Sequence, residues 1–128
     1  MNYMSVEEAR RFAAQWLPAW SGNNPELLAD FYSDDAFYSD PAIPEGVHGK
    51  QALLAYFRAL LRKNPDWTWT QLEAIPLEEG FLNKWKVRIP AENATVEIVG
   101  VCFVQFNAAG KIRRNEVYFD RLLLRPGT

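Results

Sequence analysis

Few residues in this chain could move a proton. Asp40 is followed directly by Pro41. A residue before proline is pushed out of the helical region, and proline brings no amide donor, so the chain is expected to be extended at this carboxylate and to leave its strand there. A carboxylate pointing into an apolar pocket is harder to ionise and becomes a candidate acid or base. Alternation along the last strand puts a second carboxylate, Asp120, on one face with Glu116 and Tyr118. The hydroxyls of Tyr38 and Tyr118 could donate to a ligand oxygen or belong to sheet packing. His48, the one histidine, precedes Gly49, either at a pocket mouth or in a solvated loop. Cys102 has no visible activating base and reads as an inert thiol. Asp40 could instead cap its own loop, and Asp120 could pair with Lys84, Lys86 or Arg88.

These groups need elements to position them. Ser5 with Glu8 has the spacing of a capping box. Behind it, Val6, Ala9, Phe12, Ala13, Trp16, Leu17 and Trp20 follow a helical period to Ser21-Gly22, with Pro18 a point of kinking. Trp16 and Trp20 belong to the core or line a cavity. Asn24-Pro25 opens a short second helix that Ser33-Asp34-Asp35 stops. Phe37 and Tyr38 make a brief strand before Asp40. Pro41, Pro44 and Gly46 describe an irregular loop, and Gly49 opens a third helix that ends at Asn64-Pro65. The period then changes from helical to two. Trp67, Trp69 and Gln71 share a strand face, and Phe81, Trp85, Val87 and Ile89 alternate with charged residues. Long strands run from Thr95 to Phe106 and from Ile112 to Leu124, joined by the turn Asn107 to Gly110.

Three helices followed by strands is an α+β pattern within a single domain, residues 1–128. The last two strands are apolar on both faces, and three helices can cover only one. The other face, assigned Val99, Val101, Phe103, Val117 and Phe119, is expected to pair two copies as a homodimer, unless the C-terminal tail covers it.

Composition narrows the partners. Net charge is −2 with no basic run, which argues against nucleic acid. The uncharged stretch from Ile98 to Ala109 is too short and polar for a membrane span, and MNYMSVEEAR lacks the apolar core of a signal peptide, so a cytoplasmic location is expected. One cysteine and one histidine exclude an internal disulfide and the usual zinc sites. No cofactor or metal is expected. Aromatics form 14% of the chain, with five tryptophans, a content that a pocket wall would explain.

The order of elements, the run YSDDAFYSDP…GVHGKQALLAYF and the later FNAAGKI…YFD resemble the NTF2-like superfamily, especially its SnoaL-like and ketosteroid isomerase-like members. The resemblance implies a cone in which a strongly curved antiparallel sheet wraps three helices and encloses a mostly apolar pocket. Gly100 is a candidate for the sheet kink such curvature needs. The resemblance makes Asp40 the general base and Asp120 a second acid/base group. Trp16, Tyr38, His48, Trp69, Trp85, Cys102 and Tyr118 are the implied ligand contacts. The isomerase oxyanion donors are replaced here by Trp16 or Gln15 and by Cys102, and the acidic partner of epoxide hydrolases is missing near Lys84. Steroid isomerisation and epoxide hydrolysis are therefore not expected. An acid/base lyase, cyclase or isomerase acting on an apolar oxygenated cyclic compound is the implied activity, and a non-catalytic binding module is the alternative.

Overall fold

A computed structural model describes residues 3–124. Helix α1 spans Val6–Trp16, and Ser5 and Glu8 form the capping box, with hydrogen bonds of 3.0 and 2.8 Å. Proline at position 18 converts the continuation into a 3-10 turn, Leu17–Trp20. Helix α2, Pro25–Ala29, starts where Asn24 accepts from the Leu27 amide, and α3 spans Lys50–Lys63. Strands β1 Tyr32–Asp40, β2 Ile43–His48, β3 Thr68–Leu77, β4 Gly80–Pro90, β5 Thr95–Phe106 and β6 Ile112–Tyr118 form one curved sheet in the order β2-β1-β6-β5-β4-β3. Helices against the inner face of that sheet give the α+β, NTF2-like architecture expected.

Several details differ from the expectation. The sheet is mixed, because β1 runs parallel to β6. The stretch taken for an irregular loop is β2. Pro44 is tolerated there because β2 is an edge strand that pairs only with β1. Gly46, at φ +82°, lets the Phe37 ring lie where a Cβ would sit. Strand β6 ends at Tyr118, and Arg121–Leu124 form a second 3-10 turn.

The faces of β6 are also the reverse of those expected. Cys102 pairs directly with Val117, so Val117 shares the inner face with Cys102. Glu116 and Tyr118 therefore point outward. The outer face carries Ile75, Leu82, Val99, Val101, Phe103 and Tyr118, bordered by the Arg114–Glu116 and Lys86–Glu97 ion pairs.

Gly100 is not the site of a bulge. Register shifts fall instead at Tyr32/Phe37, Tyr38/Asp40, Gln71/Glu73 and Gln105/Phe106. Gly100 provides room, since a Cβ there would lie 2.5 Å from the Trp85 ring and 2.8 Å from the Tyr118 carbonyl oxygen. Gly100→Ala is expected to cost about 1–3 kcal/mol through overpacking, read as a lower denaturation midpoint. An unchanged midpoint would show that both the Trp85 ring and the Tyr118 backbone give way.

Candidate functional site

Asp40 closes β1 at a register shift between Tyr38 and Asp40. Both side chains turn inward and are buried. Pro41 then releases the chain, and the freed amides fold back on the carboxylate. Its Oδ1 accepts from the Ala42 and Ile43 amides at 2.8 and 3.2 Å. This is the loop-capping geometry that the sequence offered as the alternative role. Its Oδ2 accepts from the Tyr38 hydroxyl at 2.8 Å and the Tyr56 hydroxyl at 2.7 Å. A carboxylate has about four acceptor positions, and here four donors occupy them. The set suits an anion and ties the strand end, the loop and α3 together.

Burial first, then the Asp40 charge, push Tyr38 well above the usual tyrosine range. Burial first, then the hydrogen bond to Asp40, raise Tyr56 likewise. Both hydroxyls stay protonated, and so remain donors, at neutral pH. Tyr56 was missed in the sequence, where it reads only as a neighbour of Phe57. The available signal was an aromatic residue with a polar tip on the helix that follows the Asp-Pro turn.

Asp40 lines a cavity of about 80 Å³ between α1, α3 and the inner sheet face. All five tryptophans line it: Trp16, Trp20, Trp67, Trp69 and Trp85. Tyr38, Cys102, Val117 and Phe119 complete much of the remaining wall. The wall is braced from outside. Ser21 Oγ bonds the Trp67 carbonyl, and the Gly22 amide bonds Pro65 at 2.8 Å. The Trp20 ring packs on Trp16, Tyr38, Phe57 and Trp69 at centroid distances of 5.3–6.0 Å.

Behind Cys102 lies a buried polar layer. The Tyr32 hydroxyl donates to Asn115 at 2.8 Å, and Gln71 donates to Asn83 at 2.8 Å. Asn83 Nδ2 and Trp16 Nε1 are buried without a formed hydrogen bond, Trp16 lying near the Tyr32 hydroxyl. Burial raises the Cys102 thiol to about 12. The unfolded thiol ionises near 9.0, whereas the folded one stays protonated. Stability held below about pH 9 should therefore fall as pH rises from there towards 12. Iodoacetamide at pH 8 should leave the native thiol unmodified and label it in denaturant. Labelling of native protein at the denatured rate would contradict this burial.

The structure thus brings Asp40, Trp16, Tyr38, Trp69, Trp85 and Cys102 to one cavity. The other three expected site residues lie elsewhere. His48 is exposed, with its ring 4.7 Å from that of Phe37. Tyr118 is half exposed on the outer face and donates to Glu116 at 2.9 Å. Asp120 lies beyond β6, exposed, and caps the last 3-10 turn by accepting from the Leu122 amide at 2.9 Å. It pairs with none of Lys84, Lys86 and Arg88. Among the described residues no group of three or more His, Cys, Asp or Glu side chains could hold a metal ion, and no helix is long and apolar enough to cross a membrane.

Residues 13–115 match the model of the SnoaL-like domain. Three solved structures share the fold at low identity. A SnoaL-like protein of unknown function from Burkholderia thailandensis is 17% identical, covers 93% of this chain and 99% of its own, and has a TM-score of 0.77. A Mycobacterium tuberculosis protein is 20% identical over 94% and 97% of the two chains, with a TM-score of 0.76. A Catenulispora acidiphila protein with a ketosteroid isomerase-like fold, in complex with trimethylamine, is 17% identical over 84% of each chain, with a TM-score of 0.70. No curated protein matches. The match across most of its length and the shared fold show that this chain belongs to the SnoaL-like domain family.

Proposed function

We propose that this chain is a small-molecule pocket protein that takes a compact, largely apolar ligand into the tryptophan cavity and holds it beside Asp40. One observation carries the reading: five indoles and a single carboxylate line the same cavity of about 80 Å³. Indole walls supply apolar burial, and a single buried charge supplies orientation. The cavity is small beside typical ligand pockets, which favours a ligand of few atoms. That the Catenulispora acidiphila neighbour is in complex with trimethylamine fits a compact ligand.

Family membership supports a second reading, because SnoaL-like and ketosteroid isomerase-like folds include isomerases and cyclases. In that reading Asp40 is the acid/base group for an apolar oxygenated cyclic substrate, and Asp120 takes no part. Asp40 would have to release a hydroxyl before taking a proton, and Tyr56, less buried than Tyr38, is the one to yield. Turnover that survives Asp40→Asn would end this reading.

We further infer that two copies pair through the outer sheet face, now defined by Val99, Val101, Phe103, Leu82 and Tyr118. The free, buried Cys102 suits a reducing compartment, and we place the protein in the cytoplasm. Native mass spectrometry of protein purified gently from its own host tests both ligand and pairing. The expected species is a dimer carrying a compact molecule. A bare monomer would count against both.

A further inference from the structure

We propose that the ligand class of this cavity is a small alkylated ammonium ion, held by cation–π contact with the indoles and by the charge of Asp40. The inference rests on the pocket reading above and adds the sign of the ligand's charge. Three features of the wall select it.

The first is the charge balance. Among the described residues Asp40 is the only charged one lining the cavity, and no described Lys, Arg or His lines it. Among the described residues Asp40 belongs to no ion pair. Arg121 points its guanidinium at the Pro41 carbonyl at 3.5 Å and is exposed. A buried anion with no ion-pair partner among the described residues makes the cavity potential negative, and aromatic faces add to it. Anionic ligands are repelled.

The second is hydrogen-bond capacity. All four acceptor positions of Asp40 are already filled by Tyr38, Tyr56, Ala42 and Ile43. A primary ammonium would bring three N–H groups with no acceptor on Asp40 free to receive them. An ammonium whose hydrogens are replaced by methyls asks for none. Its charge is felt through space, and its surface is carbon.

The third is shape. Trp16, Trp20, Trp67, Trp69 and Trp85 come from α1, its 3-10 extension, β3 and β4 together with the segment entering β3, so they surround the void from several sides. At about 80 Å³ the space suits a compact head group. A cluster of indoles around such a volume is the arrangement that recognises methylated ammonium groups.

Choline and 3,3-dimethylbutan-1-ol test the proposal because they differ only in a charged nitrogen against a neutral carbon. Both are titrated into the full chain while intrinsic tryptophan emission is followed, with potassium chloride holding ionic strength constant. Choline is expected to bind at least tenfold more tightly than the alcohol. Asp40→Asn should bring the two affinities within about threefold. Trp67→Leu, at a partly buried wall position, should weaken choline more than the alcohol. Should Asp40→Asn not fold, the wild-type pair and Trp67→Leu still decide. Equal or tighter binding of the alcohol overturns the ammonium assignment while leaving the compact apolar pocket standing. Binding of neither overturns both.

Discussion

Asp40→Ala is expected to lower the unfolding free energy by about 3–4 kcal/mol, because it strands several donors at once. The carboxylate receives the Ala42 and Ile43 amides and the Tyr38 and Tyr56 hydroxyls, all within 3.2 Å. Removing one partner of a buried polar group costs more than the bond itself contributed, since the remaining group is desolvated and unpaired. Tyr38 has no water to turn to, being only 2% exposed. Tyr56 is less buried and recovers part of its loss. Asp40→Asn keeps an acceptor for the two amides and should cost about half as much. Urea denaturation of the three proteins measures the series. A loss below about 1 kcal/mol for the alanine variant would mean that the four hydrogen bonds do not hold the turn.

Phe57→Ala should cost about 3–5 kcal/mol, the range for deleting a buried aromatic side chain. Phe57 is completely buried and sits at the centre of an aromatic group. Its ring lies 5.3 Å from Trp20, 5.3 Å from Tyr32 and 5.2 Å from Tyr38, edge-on to Trp20 and Tyr38. It therefore fixes two cavity-lining rings without lining the cavity itself. The expected structural consequence is drift of Trp20 and Tyr38 into the vacated space and loss of a defined ligand site. Calorimetry reports the stability change, and near-ultraviolet circular dichroism reports the loss of aromatic order. A stable variant with an unchanged aromatic spectrum would show that α3 does not support the cavity.

The sequence made the helix starts legible because the caps are local. Ser5 and Glu8 form the capping box their spacing predicts, and Asn24 caps the helix that Pro25 opens by accepting from the Leu27 amide. The change of period after Asn64 likewise marked β3, β4 and β5. Strand β2 was hidden because Pro44 and Gly46 read as breakers, and only its place at the sheet edge makes both acceptable. The reversal on β6 has a non-local cause. A one-residue slip exchanges the faces of a strand, and the shift between Gln105 and Phe106 lies beside the turn that sets β6. Glu116, Tyr118 and Asp120 thus read as pocket residues, whereas Val117 and Phe119 line the cavity. The strand end at Asp40 was legible because proline constrains the residue before it. Tyr56 was missed because its contact spans sixteen positions and needs α3 docked against the end of β1.

Intrinsic fluorescence tests the central claim most directly, since all five tryptophans line the proposed site. A panel of compact neutral, cationic and anionic molecules, with bulky ring compounds beside them, is titrated into the protein. Saturable changes in emission are expected for the compact cationic and neutral members of the panel only, with the affinity of the cations weakened by Asp40→Asn. Emission unchanged across the compact members at millimolar concentration, or the same response from bulky ring compounds, would contradict a compact ligand site beside Asp40.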